Sequence, residues 1–513
     1  MRYRSARIVP GTNLLSSMDS KELEPECRPP HCPEAGEEVG PFEDLPGVSA
    51  NRRVWSIDSS DNSSEGTTTD VPHAGHAVVP MGNSFVQSGQ RFMAADCITD
   101  QILEGSICDA LVTTPDTIPL VTPNKTFDVA VVGAGVFGAW SACQLSRAGA
   151  DVALVDAYGP GNSRSSSGGE SRMIRMGYGP DQVYTRMAQR SLTLWQELFN
   201  HREVSGVSTR LFQPTGILWL ARENDSYCEA TLETLHLCQV RHERLERKEL
   251  CRRYPQLEPG PVAWGILEPD SGVLMARQAV TAVVAEAQVR GVTFLEEAAV
   301  TPVADSRHNS KLDSIETVSG GRIFASQFVF ACGPWLPKVF PALLSQLIRV
   351  TRQEVFFFGV GAGDCRFGPE GMPAWIDFND LVYGIPNLDN RGFKIAIDAH
   401  GPQFDPDSGD RIISSEGLAA VRLYLASRMP ELANAPVSET RVCQYENTSS
   451  GDFLIDRHPA FENVWLVGGG SGHGFKHGPA VGEHVAGLIS GDAEVAPRFA
   501  LATKEQVQHR QVF

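Results

Sequence analysis

The stretch FDVAVVGAGVFGAWSACQLSRAGADVALVD at 127–156 restricts the fold of this chain more than any other segment. A short Val-rich apolar run leads into GAGVFG, and apolar residues then recur at helical spacing up to Gly149, a residue type that favours a helix end. A second apolar run follows. This order predicts a strand, a tight turn, a helix and a parallel strand, which together begin a doubly wound α/β sheet.

The glycines of this turn predict a dinucleotide site. Gly133 would allow the tight turn, Gly135 would let a pyrophosphate approach the backbone, and Gly138 would let the helix pack closely on the strand. Asp156 ends the second strand, 23 residues after Gly133, where a carboxylate can accept a hydrogen bond from a ribose hydroxyl. The motif does not distinguish NAD from FAD, and a glycine-rich turn in another α/β fold is the structural alternative.

The rest of the chain alternates between two kinds of pattern. Amphipathic helices are predicted around 183–200, 276–290 and 411–427. Short runs that alternate or carry aromatic residues, such as TGILWLA, RQEVFFFGV and FKIAID, predict a mostly antiparallel second sheet. FVFACGPW at 328–335 and VWLVGGGSGHGFKHGP at 464–479 return to the strand-and-turn pattern of the first unit. We therefore expect the chain to pass repeatedly between two domains.

Residues 1–120 differ from the rest in composition. Ser, Thr, Pro, Asp and Glu dominate, and 8 Lys and Arg stand against 18 Asp and Glu. Such a segment buries too little apolar surface to offset the entropy of ordering, so a disordered acidic tail is predicted. The net charge of −18 over 513 residues argues against a nucleic acid partner. No apolar run reaches the ~20 residues of a membrane-spanning helix.

The 11 cysteines are scattered, without a CxxC pair or a zinc spacing, so no metal site is predicted. This usage favours a reducing compartment, and we expect the cytoplasm. The first residues, MRYRSARIVPGTNLLSS, lack the continuous apolar run of a secretory signal, while a mitochondrial presequence stays open.

Three further segments resemble one family of enzymes. They are GESRMIR at 169–175, YGIPNLDNRGFK at 383–394, and a longer segment that joins CQY at 443–445 to FLIDRHP and GGGSGHGFKHGP. Together they resemble the monomeric sarcosine oxidase and N-methyltryptophan oxidase family, within the FAD-dependent amino-acid oxidase superfamily. The resemblance covers roughly residues 125–490.

The resemblance implies an α/β fold. A Rossmann-type FAD-binding domain would be interwoven with a substrate domain built on a mostly antiparallel sheet. The FAD-binding domain would comprise residues 125–212, 276–340 and 441–495, and the substrate domain residues 213–275 and 341–440.

The resemblance also implies which residues contact the cofactor. Cys443 matches the cysteine that bonds through its sulfur to the 8α carbon of the flavin, which would make the FAD covalent. An ordinary half-buried cysteine is the alternative. Gly470, Gly472 and Gly474 belong to the loop that would bring backbone N–H groups close to the flavin.

Five side chains match the active site of the family. Arg175 and Lys476 would hold the substrate carboxylate. Lys394 would stabilise the negative charge that develops as O₂ is reduced, Arg172 would support it beside the flavin ring, and Tyr383 would lie near the substrate. The structural alternatives are a solvated helix charge for Arg175, an exposed strand lysine for Lys394 and a sheet aromatic for Tyr383.

We therefore expect an FAD-dependent amine oxidase that converts a secondary amino acid, N-methyl or cyclic, to an imine and reduces O₂ to hydrogen peroxide. Its partners would be a small-molecule substrate and O₂, with no membrane contact, and the protein would be a monomer. Asp398 stands where sarcosine oxidases commonly have His, and Ser167 and Gly168 replace two histidines, so sarcosine itself is less expected. A flavin dehydrogenase with another electron acceptor and a flavin-binding protein without turnover are the alternatives.

Overall fold

The structure is a computed structural model, and it describes residues 125–204, 210–302 and 310–509. The acidic tail predicted for residues 1–120 lies outside the described residues.

The strands of the described residues fall into three sheets. In chain order they are β1 (Thr126–Val132), β2 (Val152–Asp156), β3 (Arg172–Ile174), β4 (Phe212–Gln213), β5 (Ile217–Arg222), β6 (Glu243–Glu246), β7 (Val262–Glu268), β8 (Gly272–Leu274), β9 (Thr293–Glu296), β10 (Ser314–Glu316), β11 (Arg322–Phe330), β12 (Arg349–Phe358), β13 (Ala374–Asp377), β14 (Val382–Ile385), β15 (Phe393–Ile397), β16 (Val437–Asn447), β17 (Leu454–Arg457) and β18 (Val464–Gly468).

The helices of the same residues are mostly amphipathic connections between strands. In chain order they are α1 (Val136–Arg147), α2 (Gln182–Val204), α3 (Ser226–Leu237), α4 (Arg247–Arg253), α5 (Ala276–Val289), α6 (Leu336–Val339), α7 (Pro341–Leu344), α8 (Ser415–Arg428) and α9 (Gly478–Ser490). Among these helices, none combines the length and the apolarity that a bilayer crossing requires.

The first sheet has the strand order β17-β18-β11-β1-β2-β9, and β10 pairs with β11. The central pairs β18–β11, β11–β1, β1–β2 and β2–β9 are parallel. Parallel strands need both faces covered, and the apolar run of β1 is accordingly buried from Val129 to Val132. Helices α1, α5 and α9 pack together beside this sheet. The predicted doubly wound α/β sheet is confirmed.

The turn between β1 and α1 depends on two glycines. Gly133 has φ +103°, a backbone conformation that side chains with a Cβ rarely adopt. A Cβ on Gly138 would overlap the carbonyl oxygen of Gly133, so the first turn of α1 can lie against the end of β1 only without a side chain there. Both glycines therefore fix where the helix begins.

The second sheet has the order β16-β12-β15-β14-β13-β5-β7-β6. Every neighbouring pair is antiparallel except β13–β5. This agrees with the predicted mostly antiparallel sheet. Helix α8 covers one part of it, where Tyr424 stacks on Trp375 at a ring separation of 5.7 Å. A third, short sheet of order β3-β8-β4 carries Arg172 on β3.

The chain alternates between the two large sheets. β1 and β2 belong to the first sheet, β5 to β7 to the second, β9 to β11 to the first, β12 to β16 to the second, and β17 and β18 to the first. The α/β fold with two interwoven parts is therefore confirmed. The exact domain boundaries stay a prediction, and β16 runs across the one proposed at residues 440 and 441.

Replacement of Gly138 by alanine tests how strictly this turn is specified. The added methyl group would overlap backbone, which cannot rotate away, so we expect a loss of about 1–3 kcal/mol in the free energy of unfolding, the usual cost of overpacking. Gly361→Ala is the matched control, because its new Cβ would meet its nearest neighbour, the Cβ of Asp364, at 4.0 Å. Denaturant unfolding measures both variants. Equal stability of the two would contradict this role of Gly138.

Candidate active site

A cavity of about 300 Å³ opens where the β1–α1 turn faces β16 and the glycine loop after β18. Every predicted cofactor-binding residue except Gly138 lines it, and these residues are Gly133, Gly135, Asp156, Cys443, Gly470, Gly472 and Gly474. Gly138 does not line the cavity but lies in α1, where the absence of a side chain allows the helix to pack on the end of β1. The sequence therefore located one continuous cavity from segments that lie more than 300 residues apart.

The β1–α1 end of this cavity fits a dinucleotide. A Cβ on Gly135 would meet only the Ser167 hydroxyl, at 3.4 Å, so the bare backbone faces the cavity at the start of a helix. Helix N-termini present N–H groups and a positive dipole end, which suit phosphates. Asp156 accepts the Ala134 N–H at 2.7 Å and lines the cavity beside it. Burial raises the pKa of the Asp156 carboxyl.

A second cavity, of about 90 Å³, adjoins the first and shares part of its wall. All five side chains predicted for catalysis or substrate binding line it, and these are Arg172, Arg175, Tyr383, Lys394 and Lys476. Cys443 lines both cavities, so this residue lies where the two spaces meet.

Cys443 lies on β16 and is buried, with 7% of its surface exposed. The Arg172 guanidinium donates to the sulfur, with 3.3 Å between Nη2 and Sγ. The same guanidinium donates to the carbonyl oxygens of Ser166 at 2.9 Å and Ser171 at 2.8 Å. Arg172 therefore connects the loop that precedes β3 to the cysteine on β16.

Arg175 is held in a buried aromatic setting. Its guanidinium carbon lies 4.5 Å from the centre of the Tyr178 ring and 4.8 Å from that of Trp219, distances typical of cation–π contacts. It also donates to the Gly177 carbonyl oxygen. Arg175 is therefore a buried residue that directly follows β3, unlike the solvated helix charge that was the alternative.

Glu268 supports the backbone around Arg175. Its two carboxylate oxygens accept from the N–H groups of Met176 at 2.7 Å and Gly177 at 3.0 Å, and from the Trp219 indole at 2.7 Å. The Ser271 hydroxyl donates to it at 2.6 Å. The sequence pattern gave no signal for Glu268, since its partners come from three separate segments.

Lys476 lies in the single turn Gly474–His477 that precedes α9. Its Nζ donates to the Tyr178 hydroxyl at 2.7 Å and to the His473 carbonyl oxygen at 3.0 Å. The Tyr178 hydroxyl lies 2.7 Å from Nε2 of His477, which is fully buried. Burial and the nearby Arg175 hold the pKa of Lys476 well below its ordinary value, so an anion in the cavity would favour its charged form.

Lys394 is a buried residue of β15, with only 2% of its surface exposed, unlike the exposed strand lysine that was the alternative. Its Nζ donates to the Ser171 carbonyl oxygen at 2.9 Å and lies 5.7 Å from the centre of the Tyr383 ring. Burial, and next the Arg172 charge, keep the pKa of Lys394 well below its ordinary value. Tyr383 lies on the neighbouring strand β14, half-buried.

Asp398 and Tyr445 form a pair in the second cavity that we did not predict as site residues. The Tyr445 hydroxyl donates to Oδ1 of Asp398 at 2.6 Å. Burial raises the pKa of Asp398 to about 6, although the Tyr445 hydrogen bond opposes this. The other carboxylate of the wall, Asp377, instead accepts from the Tyr424 hydroxyl and lies 3.3 Å from the Arg428 guanidinium. The departure from the histidine pattern at position 398 was the available signal for this pair.

Comparison with known proteins gives a consistent result. The sequence model of the DAO family, described as FAD dependent oxidoreductase, matches residues 128–488. A monomeric sarcosine oxidase of Bacillus sp. (strain NS-129) is 32% identical over 369 residues, which is 71% of this chain and 93% of that protein. An N-methyl-L-tryptophan oxidase of Salmonella typhimurium is 29% identical over 372 residues, 71% of this chain and 95% of that one.

Solved structures share the fold at lower identity. L-proline dehydrogenase from P. horikoshii superposes with a TM-score of 0.63 at 22% identity, covering 74% of this chain and 97% of its own. NikD, an amino acid oxidase of nikkomycin biosynthesis, gives 0.61 at 21% identity, covering 76% and 100%. These likenesses concern the architecture.

The lowered pKa of Lys476 predicts how anion binding depends on pH. A carboxylate such as acetate binds the charged lysine, so its affinity should fall as the pH rises through the lowered pKa, below the ~10.4 of an ordinary lysine. Lys476→Met should weaken acetate binding by about ten- to a hundredfold, as expected for a lost hydrogen bond to a charged group. Lys476→Arg keeps its charge as the pH rises. The part of the fall in acetate affinity that comes from deprotonation of Lys476 should therefore be absent from this variant.

Acetate titrations followed by calorimetry, over the whole pH range in which the protein stays folded, measure these affinities. Lys248→Met, at an exposed position of α4, is the control. If Lys476→Met bound acetate as tightly as Lys248→Met, Lys476 would have no part in anion binding.

Proposed function

Because the chain belongs to the FAD dependent oxidoreductase family, whose model matches residues 128–488, we propose that it oxidises a secondary amino acid to an imine. The substrate would be N-methylated or cyclic, and it would lose two electrons and two protons. O₂ would accept them and leave as hydrogen peroxide. The observation that carries the proposal is the pair of adjoining cavities that meet at Cys443, one fitting a dinucleotide and the other lined by cations.

The cofactor would lie along the first cavity. Gly133, Gly135 and Asp156 would hold its adenosine and phosphate end, and the loop with Gly470, Gly472 and Gly474 its flavin end. Bound FAD would supply the two-electron chemistry that amino-acid side chains lack. Family membership supports FAD, and the position of Cys443 supports a covalent bond to it.

We propose that the Cys443 sulfur bonds to the 8α carbon of the flavin. The new C–S bond replaces a C–H bond and an S–H bond, so two electrons and two protons must leave. O₂ would be the oxidant that accepts them. The thioether would fix the flavin ring at the junction of the two cavities, beside the Arg172 guanidinium.

The substrate carboxylate would bind between Arg175 and Lys476. Both cations line the second cavity and are buried, and a carboxylate that leaves water needs such compensating charge. Two fixed cations hold a carboxylate in one orientation, which places the adjacent C–N bond reproducibly. The names of the relatives, monomeric sarcosine oxidase and N-methyl-L-tryptophan oxidase, support a secondary amino acid and a monomeric protein.

Lys394 would act on O₂. It is buried on β15 and keeps a hydrogen bond to the Ser171 carbonyl oxygen, so its ammonium group has a fixed position. A fixed positive charge in a site with little water stabilises negative charge that develops on oxygen. Arg172 would add a second positive charge beside the same space, and Tyr383 would form the wall next to Lys394.

Asp398 would limit the choice of substrate. It places a carboxylate among the cations of the second cavity, and among the described residues nothing bonds to its Oδ2. Opposite charge attracts, so a substrate with a cationic nitrogen in this part of the cavity would gain from Asp398. The Asp398 carboxylate therefore favours a substrate amino acid that is larger than sarcosine or that carries an additional basic group.

A substrate panel tests the proposed function. Purified protein is mixed with N-methyl amino acids, with cyclic amino acids and with N-methylated basic amino acids, and peroxide release and O₂ consumption are recorded together. Peroxide formed in equal amounts to the O₂ consumed supports an oxidase. Turnover only when an artificial electron acceptor is added would point instead to a dehydrogenase, and no turnover with any compound would contradict the proposal.

Lys394→Met should separate the two halves of the reaction. Reaction with O₂ should slow by about a hundred- to a thousandfold, the usual effect of removing one electrostatic group from a catalytic site. Anaerobic reduction by substrate should change by less than about tenfold, since Arg175 and Lys476 stay in place. Stopped-flow absorbance measures both steps, with Lys248→Met as the control. Equal slowing of both steps would remove the role of Lys394 in the reaction with O₂.

A further inference from the structure

Tyr178 lies behind the two cations that would bind the substrate carboxylate. It belongs to the segment between β3 and α2, and its side chain is fully buried. It is not among the described residues that line either cavity, so it would not touch a bound molecule. It nevertheless contacts both Arg175 and Lys476, which line the second cavity. Any effect of Tyr178 on a ligand would therefore act through these two residues.

The ring and the hydroxyl group of Tyr178 contact different cations. The centre of the ring lies 4.5 Å from the guanidinium carbon of Arg175, within the range of a cation–π contact. The hydroxyl oxygen accepts a hydrogen bond from Nζ of Lys476 at 2.7 Å, and this Nζ also donates to the His473 carbonyl oxygen at 3.0 Å. Among the described residues these are the two acceptors of Lys476. A charged lysine has three N–H groups, so one is left for a ligand in the cavity.

Two buried imidazoles supply acceptors for the hydrogen of the Tyr178 hydroxyl group. Its oxygen lies 3.2 Å from Nδ1 of His473 and 2.7 Å from Nε2 of His477. Nε2 of His473 lies 3.1 Å from the carbonyl oxygen of Gly451, which can only accept, so this nitrogen carries a hydrogen and Nδ1 of the neutral ring is an acceptor. The hydroxyl hydrogen therefore has an imidazole acceptor whichever nitrogen of His477 is protonated, and the hydroxyl oxygen can accept from Lys476.

We propose that Tyr178 is a positioning residue of the carboxylate site and holds both of its cations. Its hydroxyl oxygen fixes the ammonium group of Lys476 and favours the charged form, while its ring fixes the guanidinium of Arg175. One buried side chain thus sets the geometry of the pair. The inference rests on the proposed function in taking Arg175 and Lys476 as the pair that binds a carboxylate.

Tyr184 provides a matched control for Tyr178. It is also fully buried, and the two rings stack with their centres 5.3 Å apart. The Tyr184 hydroxyl donates at 3.0 Å to Asp452, which is not among the described residues of either cavity wall. The change from tyrosine to phenylalanine at both positions therefore separates loss of the hydroxyl that meets Lys476 from loss of a buried hydroxyl in general.

Tyr178→Phe keeps the ring and removes the hydroxyl group. Acetate, titrated by calorimetry into the purified full-length protein, should bind this variant about tenfold more weakly, as expected for one lost hydrogen bond to a charged group. Tyr184→Phe should stay within about twofold of the unaltered protein. On a Lys476→Met background, Tyr178→Phe should lower the affinity by less than about twofold, because the hydroxyl group then has no lysine to hold.

The pH dependence of acetate binding gives a second readout of the same contact. Without the Tyr178 oxygen the charged form of Lys476 loses a hydrogen bond, which lowers the pKa of the lysine further. The fall in acetate affinity with rising pH should therefore begin about one pH unit lower in Tyr178→Phe, since one unit corresponds to about tenfold. The groups that act on Lys476 through charge or hydrogen bonds are Arg175, Tyr178, Glu268, Asp398, His473 and His477. All except Tyr178 are the same in the variant.

Tyr178→Leu also removes the ring, and the further loss of acetate affinity should be about three- to thirtyfold, through Arg175. This loss should persist on the Lys476→Met background. A folded leucine variant that binds acetate as tightly as the phenylalanine variant would overturn the role of the ring.

Two results would overturn the inference alone. One is an equal loss of affinity from Tyr178→Phe with and without Lys476, and the other is an equal loss from Tyr178→Phe and Tyr184→Phe. If Lys476→Met bound acetate as tightly as the unaltered protein, the carboxylate site of the proposed function would fall together with the inference.

Discussion

Three buried cations determine what the second cavity can hold. Arg175, Lys394 and Lys476 expose 6%, 2% and 4% of their surfaces, and charge removed from water is stable only where the protein replaces its solvation. Here carbonyl oxygens and aromatic faces replace part of the lost solvation. The pKa values of both lysines are nevertheless lowered, first by burial and next by a neighbouring arginine. A cavity built in this way favours an anion, because negative charge inside it would stabilise the charged forms of these side chains.

The position of β16 explains how such a cavity can adjoin the proposed cofactor site. β16 belongs to the antiparallel sheet and pairs with β12 over its length, yet Cys443 on it lines the cavity of the parallel sheet. The glycine loop after β18 reaches it from the other side, where Ser471 N–H donates to the Glu446 carbonyl oxygen at 3.0 Å. Neither sheet forms the site alone, and the alternation of the chain between them brings the two halves together.

Much of this arrangement follows from local sequence patterns. Three features depend only on residues that are close in sequence, and all three were predictable. They are the β1–α1 turn with its glycines, the apolar parallel strands and the alternating strands of the second sheet. The burial of Lys394 was not, since a lysine on a strand is usually exposed and only its register against β14 places it inward. Other features depend on contacts between distant segments, which a short sequence pattern does not predict. They are the hydrogen bonds of Glu268, the Asp398–Tyr445 pair and, among the described residues, the buried Oε2 of Glu446 without a hydrogen-bond partner.

The central claim is that this chain holds a flavin at Cys443, where its two cavities meet. The visible spectrum of the purified protein, recorded before and after acid denaturation and washing, tests it most directly. The account predicts a flavin spectrum that stays with the denatured chain and is washed away from the Cys443→Ala variant. Flavin released from the unaltered protein would contradict the thioether, and a colourless protein that does not take up FAD would contradict the account as a whole.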